Sequence, residues 1–273
     1  MNVIGLGNVG SKIAKCFEKY PQYTVGTIAN QDHGDTVLVK EQNHPEKYES
    51  LAPNLEKIIN SLEDEVLFIV CGASFTSALS LVVLEQLKHK PVDVLYIKTD
   101  TEMLSQMKKM HEKVVYNVLQ QKARSGAFRN LYIVSNQKVE ETLGDLPVIG
   151  FWDKINDFIA STFHMVNVYT HQDPVMGGLE APPDTCRIST VGVKELSGGQ
   201  ETDLFELDSA RATRYMYGVN EDRLKASSDT LKKIKSELKT KITEDHSVSY
   251  GIYPTTYKVD YCWFIKSTSI IQS

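Results

Sequence analysis

Gly5-Leu6-Gly7-Asn8-Val9-Gly10 sets three glycines in a GxGxxG spacing between an apolar run, Met1 to Leu6, and an amphipathic one, Ser11 to Tyr20. Glycine lets the backbone turn sharply and brings its N–H groups close to an anion, and the start of a following helix adds partial positive charge. Such a turn holds phosphate. The same spacing serves dinucleotides, a use that asks for an Asp or Glu near the end of the second strand to hold ribose hydroxyls. Here that strand runs into Asn30-Gln31-Asp32, with Asp32 beyond its apparent end and beside a polar amide pair. An NAD-dependent oxidoreductase with a Rossmann domain is thus one reading, resting on the glycines alone.

Other reactive residue types offer less. Cys16, Cys71, Cys186 and Cys262 lie far apart without a CxxC pair, and the seven histidines form neither HExxH nor a close pair. No protein-built metal site is expected, and the thiols read as reduced in a cytoplasm.

The elements that must position the glycine turn follow from apolar periodicity. Strand-like runs are expected at Met1 to Leu6, Thr24 to Ala29, Val66 to Cys71, Val92 to Ile97 and Leu131 to Ser135. Helices are expected at Ser11 to Tyr20, Leu51 to Leu62, Ser77 to Lys88 and Glu102 to Lys122, with a polar loop over Asn30 to Pro45. The continuous apolar run Val66 to Cys71 suits a strand covered on both faces, which favours a parallel sheet. The fold class is therefore α/β, a doubly wound, mainly parallel sheet. Ile155, Phe158, Ile159, Phe163 and Val166 form one stripe on a helix from Trp152 to Val166. After Asp173, Pro174, Gly177-Gly178 and Pro182-Pro183 mark irregular chain. Strands then follow at Cys186 to Val193 and Arg211 to Tyr217, a helix at Asp222 to Ile242, and strands at Ser247 to Tyr253 and Tyr257 to Lys266. The domains read as 1–150, a connecting helix and loop over 151–172, and a smaller α+β domain over 173–273.

With 273 residues, 41% hydrophobic and 24% charged, the chain has the composition of a globular protein, and its net charge of -5 gives no general pull toward nucleic acid. Direct nucleic-acid binding is not expected. No apolar run approaches the ~20 residues of a membrane span, and no basic flank precedes the first strand, so the expected location is cytoplasmic. The lysines around Asp222 to Ile242 read as a solvated helix face rather than a docking patch.

Gly7-Asn8-Val9-Gly10-Ser11-Lys12-Ile13 resembles the first phosphate loop of the tubulin/FtsZ superfamily, in the same place relative to the first strand. Cys71-Gly72-Ala73-Ser74-Phe75-Thr76-Ser77 is similar in position to the family's glycine-rich signature loop, and Leu131 to Asn136 resembles the strand whose terminal asparagine contacts guanine. Trp152 to Val166 looks like the family's central helix, with Trp152 and Asn156 spaced to stack on a base and hydrogen-bond its edge. The resemblance implies GTP or GDP, with Mg2+ accompanying the nucleotide. It implies phosphate contacts from Gly7, Asn8, Val9, Gly10 and Ser11 and from Gly72, Ala73, Ser74 and Thr76. Asn30 would lie at the ribose or base, and Asn136, Trp152 and Asn156 at the base.

The family completes GTP hydrolysis between subunits, with carboxylates after the central helix of one copy entering the site of the next. Here that stretch is Asn167-Val168-Tyr169-Thr170-His171-Gln172-Asp173, with Tyr169 and Gln172 where carboxylates are expected and Asp173 one position late. The second loop has lost most of its glycines, and no glycine-rich third loop stands in Lys47 to Asn54. The resemblance implies a head-to-tail homopolymer with weak or altered GTPase activity and Asp173 as the catalytic candidate. A non-hydrolysing structural or adaptor subunit of the same fold is the alternative.

Overall fold

The computed structural model describes residues 1–34, 36–51, 53–60 and 65–273. Asp35 of the expected polar loop and Ala52, Ser61 and Leu62 of the expected helix lie outside the described residues. The chain divides into two compact units, Met1–Ser161 with Ser273, and Thr162–Gln272.

In the first unit the order is β1 (Asn2–Leu6), α1 (Gly7–Lys15), β2 (Thr24–Ala29), β3 (Thr36–Leu38), α2 (Pro45–Glu49), α3 (Glu56–Asn60) and β4 (Val66–Cys71). A 3-10 turn (Phe75–Leu79) then leads into α4 (Ser80–Gln86), β5 (Val92–Lys98), α5 (Gln106–Arg124), β6 (Asn130–Ser135) and α6 (Asn136–Leu143). Helix α7 (Phe151–Thr170) begins in this unit and ends in the second. The strands lie in the order β3-β2-β1-β4-β5-β6, each parallel to its neighbours. The chain therefore steps outward from β1 in one direction and from β4 in the other, which puts the topological switch point at the carboxyl ends of this adjacent pair. Every residue of β4 is buried, as its unbroken apolar run requires. At the opposite, amino ends of the strands, the Arg129 guanidinium holds Asp93 of β5 through Nε (3.0 Å) and Nη2 (2.5 Å) and also pairs with Glu65, next to β4.

Several boundaries differ from the sequence expectations for identifiable reasons. Helix α1 starts at Gly7 rather than Ser11, because Gly7 takes φ +72 and turns the strand straight into the helix. The expected helix Leu51 to Leu62 is replaced by α2 and α3, separated by Pro53, whose ring and missing N–H disfavour a continuous helix. Within the expected polar loop, Thr36–Leu38 pairs with β2, and Thr36 Oγ1 lies 2.7 Å from Thr27 Oγ1. Helix α6 carries a single buried residue, Val139, so it shows no readable stripe; it is capped by Ser135, whose Oγ accepts from Lys138 N at 3.5 Å.

The second unit contains the end of α7, β7 (Met176–Gly178), β8 (Ile188–Glu195), β9 (Thr202–Asp203), β10 (Ala212–Asn220), α8 (Glu221–Ala226), α9 (Asp229–Lys239), β11 (Ser247–Thr255) and β12 (Tyr261–Thr268). Its strands run β8-β12-β10-β11-β7, with β9 on β8. β10 and β11 are parallel across the α8–α9 connection, and the other pairs are antiparallel. Ile234 and Leu238 of α9 join Tyr215, Tyr217, Ile252 and Phe264 in one buried cluster. The helix expected from Asp222 to Ile242 is broken at Ser227, which is extended (φ -157, ψ 148) and whose Oγ accepts from Asp229 N at 3.0 Å, an alternative to helical bonding that serine readily offers. Lys241, read as part of an exposed lysine face, is instead half-buried between Glu201 and Glu237.

Candidate functional site

The three glycines have separate jobs. A Cβ on Gly5 would lie 2.4 Å from the Gly10 carbonyl oxygen, and one on Gly10 would lie 2.6 Å from that of Ile69, so both permit α1 to pack directly on β1 and β4. Gly7 supplies the left-handed turn. No side chain caps the start of α1 and its first turn carries no acidic residue, so the amide ends of Gly7, Asn8 and Val9 present positive potential. Ser11 is wholly buried and donates through Oγ to the Gly5 carbonyl at 3.4 Å, bracing the turn from behind.

A Cβ on Gly7 would lie 3.5 Å from Ser74 Oγ and 3.5 Å from Thr76 Cβ. The loops after β1 and β4 thus meet at the point where the sheet order reverses. Gly72 is required where it is, since a Cβ there would fall 1.8 Å from the hydroxyl of Tyr96, itself donating to Glu112 Oε1 at 2.8 Å. Ser74 Oγ donates to Thr76 Oγ1 at 3.1 Å. Ala73 is half-buried in the same loop.

Hydroxyls and an imidazole stiffen this loop in place of the missing glycines. Ser77 Oγ donates to the Ser74 carbonyl at 2.6 Å and lies 3.2 Å from that of Gly72. His111 Nε2, from α5, sits 3.1 Å from the Ser74 carbonyl and 2.9 Å from Ser77 Oγ. A carbonyl only accepts, so Nε2 carries the hydrogen. Burial holds His111 below the ordinary imidazole range, against the opposing pull of the Ser74 carbonyl and of Glu46. Phe75 packs edge-on against the same ring, with centroids 5.5 Å apart.

Asn30 follows β2, and its Oδ1 is buried with no hydrogen-bond partner, an acceptor for which a bound ligand would supply the donor. His33 Nε2 lies 3.4 Å from Asn8 Oδ1, and its amide donates to Thr36 Oγ1 at 2.8 Å. Burial and then the nearby Lys12 lower the His33 proton affinity. His33 is not foreseeable from the sequence, since a loop histidine beside Asp32 carries no spacing signal. Asp32 caps a local turn by accepting from Gly34 N at 2.9 Å.

Asn136 opens α6 at the carboxyl end of β6, separated from β1 by β4 and β5. Trp152 near the start of α7 is 56% exposed, with its ring edge-on to Phe151 at 5.2 Å, so it does not anchor a core. Asn156, one turn later, is buried. Asp173 belongs to the second unit and is exposed. The stretch expected to be a loop before it is helical through Thr170. Tyr169 is there a core residue, its ring 4.5 Å from Tyr253 and 5.5 Å from Trp263, while His171 Nδ1 donates to the Asn167 carbonyl at 2.8 Å and so finishes the helix. Among the described residues, no group of three or more His, Cys, Asp or Glu could hold a metal ion, and no helix is long and apolar enough to cross a membrane.

A parallel sheet whose strand order reverses at β1 and β4, with a glycine turn facing a hydroxyl-rich loop at the reversal, defines a doubly wound α/β fold. No protein-family model and no curated protein matches the sequence. Solved structures do match its fold. An empty FtsZ dimer from M. jannaschii is similar with a TM-score of 0.74 at 12% identity, over 98% of this chain and 87% of that one. A GTPγS-form protofilament of TubZ from Bacillus thuringiensis serovar israelensis gives 0.75 at 14%, over 97% and 84%. GDP-bound monomeric CetZ1 from Haloferax volcanii gives 0.67 at 16%, over 98% and 94%. The fold is tubulin/FtsZ-like.

Proposed function

We propose that the chain binds a guanine nucleotide, GTP or GDP, at the carboxyl ends of β1 and β4 and self-associates head to tail. The observation that carries the reading is the approach of Gly7 to Ser74 and Thr76 at the reversal of the sheet, beside the uncapped start of α1. The phosphates belong against Gly7, Asn8, Val9, Gly10 and the Gly72 to Thr76 loop, with Mg2+ arriving on the phosphates. Ser11 supports the turn through its bond to Gly5. Asn30, with its unpartnered acceptor, suits a ribose hydroxyl. Asn136, Trp152 and Asn156 take the base, the exposed indole offering a face for stacking.

The solved neighbours support the assembly reading, since they include a dimer and protofilaments. A contact between two different faces of the same chain propagates unless its rotation closes it. Asp173 is the residue we assign to hydrolysis, as the exposed acid after α7 that one copy can offer the next. Turnover is slow in this reading, because Tyr169 and Gln172 stand where the family resemblance implies carboxylates and Tyr169 is committed to the core. That same commitment favours, as second reading, a non-hydrolysing structural subunit.

Light scattering and phosphate release, followed together after addition of GTP or GDP with Mg2+, test this function. GTP-dependent scattering with slow phosphate release that Asp173→Ala abolishes is the expected result. Scattering with no phosphate release selects the structural subunit, and no nucleotide effect on scattering contradicts the assembly reading.

A further inference from the structure

Behind the Gly72 to Ser77 loop lies a pocket of about 520 Å³, walled by α2, the 3-10 turn with the start of α4, and α5. This is a volume typical of small-molecule sites. On α5 the lining residues Met107, Met110, His111, Val114 and Val118 recur at i, i+3, i+4, i+7 and i+11, one continuous stripe. Leu81, Met107, Met110 and Val114 are 41%, 49%, 66% and 54% exposed, so one depression gathers large apolar side chains that are normally scattered singly. Methionine's flexible, polarisable thioether adapts such walls to a ligand.

The polar groups set the other half of the ligand. Glu46 and Glu49 of α2 line the pocket, and both act electrostatically on His111 across it. The described lining holds no lysine or arginine. Its deep wall includes Ser77 and His111, the pair that bonds the Ser74 carbonyl. We propose that this pocket is a second ligand site, for a small molecule with an apolar body and a cationic amine. The apolar part lies on the α5 stripe, the amine pairs with Glu46 and Glu49, and occupancy is felt by His111 and through it by the loop. Binding here does not rest on the nucleotide reading.

The test is NMR of the full chain with 13C-methyl methionine, titrated in the absence of nucleotide with n-octylamine and, separately, with octanoate. Saturable shifts of the Met107 and Met110 methyls and of the His111 ring are expected with the amine, the ring being assigned by comparison with H111Q. Octanoate should bind roughly tenfold more weakly, since two exposed carboxylate contacts each contribute modestly to the amine and oppose the anion. The double variant Glu46→Gln with Glu49→Gln should bring the two probes within about threefold of each other. M110K, at an exposed position, should abolish amine binding while leaving the other methionine signals in place. Equal binding of amine and octanoate by the wild type, shifts that do not saturate, or shifts at other methionines with Met107 and Met110 unmoved would overturn the proposal. None of these outcomes depends on GTP binding, so the two readings fail separately.

Discussion

Gly10 is held by the backbone around it: the nearest atom to an added Cβ is the Ile69 carbonyl oxygen in the middle of a hydrogen-bonded sheet, which has no room to retreat. Gly10→Ala should therefore destabilise the chain by about 1–3 kcal/mol, the cost of overpacking, read from the denaturant midpoint. Gly178→Ala, where nothing lies within 4 Å, should cost little and serves as control. His111 gives a pH signature. Its folded-state pKa lies below the unfolded value, so the unfolded chain takes up the proton first and stability is lost as pH falls below about 6.5. His33 and His246 are depressed too and add to the slope. The difference between wild type and His111→Gln in urea unfolding at pH 7.5 and 5.5 isolates the one imidazole; identical slopes would show that it does not titrate in this way. Trp152→Ala should weaken guanine-nucleotide binding by about 1–3 kcal/mol, the worth of one base stacked on an aromatic ring. Stability should change by no more than about 0.5 kcal/mol, as for an exposed side chain. A loss of binding with an equal loss of stability would instead make Trp152 structural.

Among the elements, Arg129 ties the amino ends of β4 and β5 together through Glu65 and Asp93, and Asp93 is buried. Removing the guanidinium leaves a buried carboxylate short of donors, so Arg129→Ala should cost about 1–3 kcal/mol in denaturant unfolding. The double variant Arg129→Ala with Asp93→Asn should recover part of that loss, and a double variant as unstable as the sum of both singles would deny the coupling. The elements also show which signals a sequence carries. β4 was legible because its apolar run is continuous, β1, β5 and β6 because they are mainly apolar, β2 because it is rich in β-branched residues, and α7 because its stripe spans several turns. Residues Thr36–Leu38 were not, since β3 has no buried residue and depends on hydrogen bonds to β2. Tyr169 lies beyond the apolar stripe that ends at Val166, yet its burial against Tyr253 and Trp263 extends the helix by a turn. In the candidate site the glycines and hydroxyls were visible as motifs. The bracing of Ser74 by His111 was not, because it joins residues far apart in the chain.

For the molecule as a whole, the fold was accessible from the order of elements and a handful of short motifs, although no family model recognises the sequence. Structures at 12% to 16% identity share it over nearly the full chain. Fold and function separate at this distance, and the residues at the β1 and β4 ends must bear the weight of the functional claim. The most direct test is equilibrium binding of GTP, GDP, ATP and NAD to the purified full chain, with tryptophan emission as the signal. Trp152 is exposed and Trp263 is buried, so a base stacking on the first should quench the accessible part of the emission. Saturable quenching by GTP and GDP, weaker response to ATP and none to NAD, and loss of the signal in Trp152→Phe without loss of GTP affinity beyond about tenfold are the expected results. Preferential NAD binding, or no binding of any of the four, would contradict a guanine-nucleotide site at the reversal of the sheet.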